Sequence, residues 1–234
     1  MDGQLDVPMI NMLEQKFEKS HFTRVDSDVI DRLIVKEEQK GEELADTKRE
    51  ILATVFNGQL PKVQKTEFHV ETQAMGGTSA PIIITQAEYM RRMKEMANIQ
   101  PGMSFYGEMP DMFNLVLNSD HRLIKQVLDD AEASCSEKLV PVESEIAMLK
   151  LRESELHKAH EGKKDEEIPT TEKDELHDIE KKLDEQKKQK DSIINEYAAS
   201  NKVVHQLIDL ALLQNNMLKG EALTNFVKRS IDLI

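Results

Sequence analysis

The sequence predicts a mostly helical α+β protein with a small mixed sheet, a long antiparallel coiled-coil hairpin and a C-terminal helical dimerisation bundle. Three observations predict this class. Charged residues make up 32% of the 234 residues and aromatic residues only 4%, which is typical of long solvated helices rather than a deep sandwich or barrel. Three short apolar segments before position 120 have the composition of strands. Beyond position 130, apolar residues recur at the spacing of a coiled coil.

Residues 1–35 have the pattern of a short αβα piece. Ile10, Leu13 and Phe17 recur at helical spacing, residues 22–25 alternate as a strand, and a short capped helix is predicted to follow. Because this piece carries too little apolar surface to fold alone, we expect it to be the end of a preceding domain.

Residues 36–130 are predicted to form an α/β body. A charged amphipathic helix over 36–60 should end at Asn57-Gly58, before Pro61. Strands are predicted at 63–72, 82–84 and 113–117, with Gly76-Gly77 as a turn after the first.

Two helix starts are predicted inside this body. Thr85-Gln86-Ala87-Glu88 matches a capping box, which would open a helix that runs to about Ile99. Asn118-Ser119-Asp120 offers polar caps for the next helix.

Residues 131–198 are predicted to be an inserted antiparallel coiled-coil hairpin. Polar Glu153, Gln186 and Lys190 interrupt its seam, so the hairpin should be only moderately stable and need not pair with a second chain. Pro141 should kink or restart the first arm. The seam residues are Leu139, Val142, Ile146, Leu149 and Leu156 in the first arm, and Leu176, Ile179, Leu183, Ile193, Tyr197, Val204, Leu207 and Ala211 in the second.

Residues 199–234 carry more apolar surface than one core needs. Lys219-Gly220 is predicted to stop one helix before another begins. Two helices with excess apolar surface favour a helix-on-helix interface between two copies of the chain. We assign that dimer interface to Leu207, Leu210, Leu213, Leu223, Phe226, Val227 and Ile231.

Composition excludes several kinds of partner. The net charge of -13 disfavours binding to nucleic acid. Cys135 is the only cysteine, so no intrachain disulfide can form, which fits a reducing compartment. No apolar run is long enough for a bilayer, and Met1-Asp2-Gly3-Gln4 does not begin a signal peptide. We therefore expect a cytoplasmic protein that binds neither membranes nor nucleic acid.

The sequence shows no catalytic motif. Walker-type glycine loops, dinucleotide fingerprints and nucleophile elbows are absent from it. His157, His160 and Glu161 have a spacing that could hold a metal, but a structural zinc site needs four ligands and no further candidate lies nearby. Cys135 is expected to be a small buried apolar residue. We predict no metal, no cofactor and no enzymatic activity for this chain.

Methionines are concentrated between positions 90 and 112, which hold six of the twelve. Composition alone favours ordinary core packing. Against this, Arg91, Arg92, Lys94 and Glu95 alternate with the methionines, so one helix face should be solvated, and the Pro101-Gly102 segment should be a loop. Flexible, polarisable methionines suit a surface that accepts varied apolar partners. The candidate binding residues are Tyr89, Met90, Met93, Met96, Met103 and Phe105.

Four stretches, in this order and spacing, resemble the ninety-kilodalton heat-shock protein family of the bacterial HtpG type. They are Phe22-Thr23-Arg24-Val25-Asp26, the segment 87–94 (AEYMRRMK), the segment 116–125 (VLNSDHRLIK) and the segment 207–213. The resemblance covers residues 1–130 and 199–234, and residues 131–198 have no counterpart in it.

The resemblance implies a homodimeric, ATP-dependent chaperone that binds unfolded or partly folded client proteins. Residues 1–35 would end the middle domain, and the helix around Met90 and Met93 would contact clients. The last helices would form a four-helix bundle with a second protomer. ATP and magnesium would belong to an N-terminal domain outside this sequence. The chain ends in Ser-Ile-Asp-Leu-Ile, so docking of cochaperones to an acidic Glu-Glu-Val-Asp tail is not expected. The alternative is a structural adaptor that acts through the 139–204 hairpin.

Overall fold

The computed structural model describes residues 6–17, 19–20, 22, 44–62, 65–86, 88–97, 109–160 and 169–232. The chain divides into two compact units, residues 1–127 with 202–234, and residues 128–201. The elements are α1 (Asp6–Lys16), α2 (Asp46–Asn57), β1 (Thr66–Gln73), β2 (Ile82–Gln86), α3 (Glu88–Ala97), β3 (Asp111–Asn118), α4 (Arg122–His160), α5 (Thr170–Ser200), α6 (Lys202–Gln214) and α7 (Gly220–Asp232). The predicted strand at 22–25, the helix after it and residues 36–43 fall largely or wholly outside the described residues.

The first unit contains the predicted mixed sheet, with the strand order β1-β3-β2. Strand β1 is parallel to β3, and β2 is antiparallel to it. All three predicted strands are found, which confirms a mostly helical α+β protein with a small mixed sheet. In this register Leu115 lies between Val70 and Ile84, so these three buried side chains share one face.

Helices α2 and α6 supply most of the remaining core of this unit. Helix α2 contacts β1, and α6 contacts both β2 and α2. Leu52, Val55 and Phe56 of α2 have no exposed surface, and each such buried side chain contributes about 1.5–3 kcal/mol to folding. The buried residues of α6 are Val204, Leu207, Ile208, Ala211 and Leu212.

Asn118 organises the loop between β1 and β2 instead of capping the next helix. Its Nδ2 donates to the carbonyls of Gly76 at 2.9 Å and Ala80 at 3.3 Å. Its Oδ1 accepts from the amide of Met75 at 3.1 Å. Gly76 has a φ of 77°, a conformation that glycine adopts without steric cost, so the predicted turn is found.

His121 caps helix α4, which corrects the predicted cap at Asn118-Ser119-Asp120. The amide of Leu123 donates to His121 Nδ1 at 3.2 Å. Asp120 Oδ2 instead accepts from the amide of Gly76 at 3.0 Å. Asn118 and Asp120 thus hold the loop between β1 and β2, whereas His121, the residue after them, caps the helix.

The predicted capping box at Thr85 is wrong. Thr85 lies within strand β2 and is buried, and its hydroxyl has no hydrogen-bond partner among the residues that the structure describes. Pairing of Thr85 with Asn114 in the sheet keeps the Thr85 backbone extended. Thr85 therefore forms part of the strand and does not cap the helix.

The second unit consists of two long helices, α4 and α5. Residues late in α4 contact residues early in α5, and residues early in α4 contact residues late in α5. Helix α4 is continuous through Pro141, so the predicted restart does not occur. Leu156, Ile179 and Leu183 form a buried cluster, with Ile146, Leu149 and Leu176 packed against it. This order of contacts agrees with two antiparallel arms, while the coiled-coil geometry itself stays a prediction. The polar contacts are Lys138–Glu196 at 3.0 Å, Gln186–Glu145 at 2.8 Å, Arg152–Glu175 at 2.7 Å and His160–Glu172 at 2.7 Å.

The predicted second seam does not continue to Ala211 as one helix. Helix α5 ends at Ser200, and Asn201 is extended with φ -85° and ψ 104°. The Asn201 side chain donates to the Tyr197 hydroxyl at 2.7 Å. Val204, Leu207 and Ala211 therefore belong to α6 and to the first unit.

Helix α6 stops earlier than the predicted Lys219-Gly220. Asn216 has a φ of 56°, the left-handed conformation of a helix C-terminus. The amide of Met217 donates to the carbonyl of Leu212 at 2.9 Å, and that of Asn216 to Leu213 at 3.1 Å. These two bonds define a Schellman motif with asparagine in the usual glycine position. Gly220 begins α7 instead of ending α6.

Candidate functional site

Helix α3 carries three of the candidate binding residues on one side. Met90, Met93 and Met96 follow one another at intervals of three, and all are half-buried. Tyr89 is 67% exposed. Met103 and Phe105 lie outside the described residues. The methionines are thus neither sealed in a core nor fully exposed to water.

Arg92 joins α3 to α1. Its Nη1 donates to Glu14 Oε2 at 2.9 Å and to Asn11 Oδ1 at 3.3 Å, and its Nη2 donates to the carbonyl of Phe22. The side chains of Arg92 and Glu14 are only 16% and 20% exposed. Asn11 Nδ2 also lies 3.7 Å from the Met96 sulfur. Charge-assisted bonds of this kind fix the two helices side by side.

The solvated charged face predicted for α3 is wrong for Arg92 and Lys94. Lys94 Nζ pairs with Asp111 Oδ1 of β3 at 2.6 Å, with the lysine side chain 20% exposed. Arg92 and Lys94 thus face acidic partners on α1 and β3 rather than water.

The sequence reasoning missed α1 as part of this surface. Met9 and Met12 of α1 are exposed, as are Phe17 and Phe22 beyond it, and Met112 of β3. The i, i+3 spacing of Met9 and Met12 could have indicated an exposed apolar side of α1. The helix prediction instead used Ile10 and Leu13, which are half-buried. We call Met9, Met12, Phe17, Phe22, Tyr89 and Met112 the thioether–aromatic surface.

A second exposed apolar surface lies on α6 and α7. The two helices are in contact. Gln206 Nε2 donates to Ser230 Oγ at 2.6 Å, and Arg229 and Asp209 form an ion pair. Burial raises the pKa of Asp209, and the charges of Arg229 and His205 offset part of the increase.

The predicted interface residues fall into three groups. Leu210, Val227 and Ile231 are exposed. Leu213, Leu223 and Phe226 are half-buried. Leu207 is buried in the core of the first unit, so within this chain it is a core residue and presents almost no surface to another copy. Its spacing fits both roles.

The structure offers no metal centre in the part of the chain that it describes, where no three His, Cys, Asp or Glu side chains cluster suitably. His160 Nε2 lies 2.7 Å from Glu172 Oε2 of the facing helix, while His157 is exposed. Cys135 is buried, and burial raises the pKa of its thiol. In the described ranges, no helix combines the length and apolar character that a bilayer crossing requires.

The described residues thus present exposed apolar side chains on α1, α3 and β3 and on α6 and α7. The chain is 67% identical over 234 residues to the "Chaperone protein htpG" of Bacteroides fragilis (strain YCH46). It is 66% identical to its Bacteroides thetaiotaomicron counterpart, and 47% identical over 237 residues to that of Porphyromonas gingivalis (strain W83). Over its whole length the chain is therefore similar to one part of HtpG chaperones.

Each of these matches covers the whole chain but 34% of the relative, so the chain spans about a third of their length. Because the aligned stretch includes residues 131–198, these relatives also carry the hairpin segment. No family model matches the chain, and no solved structure matches it.

Proposed function

We propose that this chain is the C-terminal dimerisation and client-binding part of an ATP-dependent, HtpG-type molecular chaperone of the cytoplasm. The names of its relatives and the one-third share of their length support this proposal. ATP and magnesium would bind elsewhere in the whole protein, and the chain by itself would not be an enzyme.

The thioether–aromatic surface carries the client-binding proposal. Isolated exposed apolar residues are ordinary on proteins, but six large ones on elements tied together by Arg92 and Lys94 are a candidate binding surface. Methionine side chains adapt their shape at little cost, so such a surface accepts apolar segments of varied sequence. The partly shielded ion pair of Arg92 and Glu14 holds α1 and α3 together without a client, which reduces the ordering cost of binding.

The test is capture of a protein that cannot refold. A reduced, carboxymethylated protein is titrated with the 234-residue chain, and the double variant Met12→Ser/Tyr89→Ser is compared with the unchanged chain. We expect at least about tenfold weaker binding, equivalent to about 1.4 kcal/mol, with an unchanged free energy of unfolding because both side chains are exposed. Gln189→Ser, at an exposed position of the second unit, is the control. Equal binding by the double variant would disprove the site.

The exposed residues of α6 and α7 carry the dimerisation proposal. Val227 and Ile231 are one turn apart on α7, and Ile231 is 68% exposed. Together with the exposed Leu210 of α6, they are apolar side chains whose burial against a second copy would be favourable. At low micromolar concentration, sedimentation equilibrium of Val227→Asp and Ile231→Asp should show monomers, while the unchanged chain should be dimeric. Dimers that persist in both variants would place the interface elsewhere.

A further inference from the structure

The hairpin unit carries an apolar stripe on the outer side of α4. Val140, Met148 and Leu151 are 61%, 65% and 64% exposed, whereas this unit is otherwise strongly charged on its surface. The small residues Ser144 and Ala147 lie between them and are also exposed. With about 100° between successive residues of a helix, these five fall within roughly 100° of one another. We call them the outer stripe.

The outer stripe is not part of the seam between the two arms. Leu139, Leu149 and Leu156 point to the opposite side of α4, where they are buried or half-buried towards α5. One side of α4 therefore packs against α5, and the other presents apolar side chains that make no contribution to the packing of the two arms.

Charge is distributed unevenly along α4. Residues 129–145 contain six carboxylates and one lysine, while residues 146–160 contain three cations, two carboxylates and two histidines. A parallel pair of such helices sets acidic halves side by side. An antiparallel pair sets each acidic half against the more basic half of its neighbour, which is favourable.

The outer stripe is self-complementary about its own centre. An antiparallel neighbour that places Val140 level with Leu151 also places Ser144 level with Ala147. In the same alignment Glu143, which also pairs with Lys190 of its own chain at 3.1 Å, comes within about one turn of the neighbour's exposed Lys150. Such a pairing is isologous, because each contact occurs twice about a two-fold axis.

We propose that the outer stripe of α4 is a self-association face, on which the hairpin of a second copy of this chain docks antiparallel. The contact is independent of the proposed dimer through α6 and α7. Because few large side chains take part, the interface is smaller than the roughly 1,200 Å² of a standard complex. The association is therefore weak and reversible between free copies.

The test separates this contact from the other interface. In the 234-residue chain carrying Val227→Asp and Ile231→Asp, we expect residual self-association at several hundred micromolar by sedimentation equilibrium. Adding Val140→Glu and Met148→Glu should weaken it at least about tenfold. Gln189→Glu, which adds a charge at an exposed position of α5, should leave it unchanged. Association that survives the stripe variants overturns the proposal. A background that is monomeric throughout also overturns it, and would indicate that the outer stripe binds a different protein.

Disulfide trapping tests the orientation. In a Cys135→Ala background, Val140→Cys chains are mixed with Leu151→Cys chains and oxidised with glutathione disulfide. Antiparallel docking should give the mixed 140–151 disulfide, because Cβ atoms must come within about 4.5 Å. Two copies of residue 140 would lie about 16 Å apart. Preferential formation of the 140–140 disulfide would contradict the antiparallel arrangement.

Discussion

Arg92 of α3 and Glu14 of α1, which are 78 positions apart in the chain, form an ion pair of 2.9 Å with little exposure to solvent. Removal of one partner leaves the other charge poorly solvated. We expect Glu14→Gln to lower the free energy of unfolding by about 1–3 kcal/mol in urea denaturation. Lys188→Gln is the control, because its partner Asp184 and Lys188 itself are highly exposed, and such pairs contribute at most about 1 kcal/mol. Equal effects of the two variants would show that burial of the first pair has no consequence.

The buried amide of Asn118 should be difficult to replace. Asn118→Ala removes a donor to the carbonyls of Gly76 and Ala80 and the acceptor for the amides of Met75 and Asp120, although the Gly76 carbonyl keeps the Ser79 amide at 3.3 Å. We expect a loss of about 2–4 kcal/mol in the free energy of unfolding, since an unsatisfied buried group costs about 1–3 kcal/mol. Asn118→Asp, which keeps the acceptor and loses both donors, should recover only part of that loss. Asn114→Ala on the same strand, where the residue is half-buried, should be milder.

Asp209 should give the first unit a recognisable pH dependence. Burial raises its pKa in the folded state above the ordinary value of 3.8, against the lowering effects of Arg229 and His205. A raised pKa means that the folded state holds the proton more tightly than the unfolded state. Its stabilising contribution is therefore present below about pH 3.8 and is lost as pH rises through the folded pKa. The unfolding free energy of the unchanged chain minus that of Asp209→Asn should accordingly decrease over this range. A difference that increases with pH would contradict the assignment.

Deletion of the hairpin separates the chaperone proposal from the adaptor alternative. Joining Ala131 to Ala199 removes nearly all of the second compact unit. We expect the shortened chain to remain folded by circular dichroism and to capture the carboxymethylated protein with unchanged affinity. Loss of capture on deletion, with the fold intact, would favour an adaptor that acts through the hairpin.

Helices and strands that are indicated by a local sequence pattern could be predicted best. The strands around Val70, Ile84 and Leu115 follow from short apolar runs, and the hairpin arms from their three-and-four spacing. Thr85 shows the limit, because its local helix-start pattern is the same whether or not β3 lies beside it. Leu207 shows another, since a repeat of apolar residues continues across Asn201 even though the helix does not.

The candidate site was only partly predictable for the same reason. Methionine content indicated α3, but the exposure of each methionine depends on α1, which is distant in sequence. Arg92 and Lys94 looked solvated because Glu14 and Asp111, which neutralise them, are visible only in the folded chain.

The order of strands in the sheet has a consequence for synthesis on the ribosome. Strand β3 is the central strand and the last of the three to be made, so β1 and β2 have no hydrogen-bonded neighbour until residue 118 has emerged. The core then still lacks α6, which follows the hairpin residues 128–201. From residue 118 to Gln214, the end of α6, synthesis at about 5–20 residues per second takes roughly 5–19 s. During this time the nascent sheet exposes the apolar face that α6 later covers.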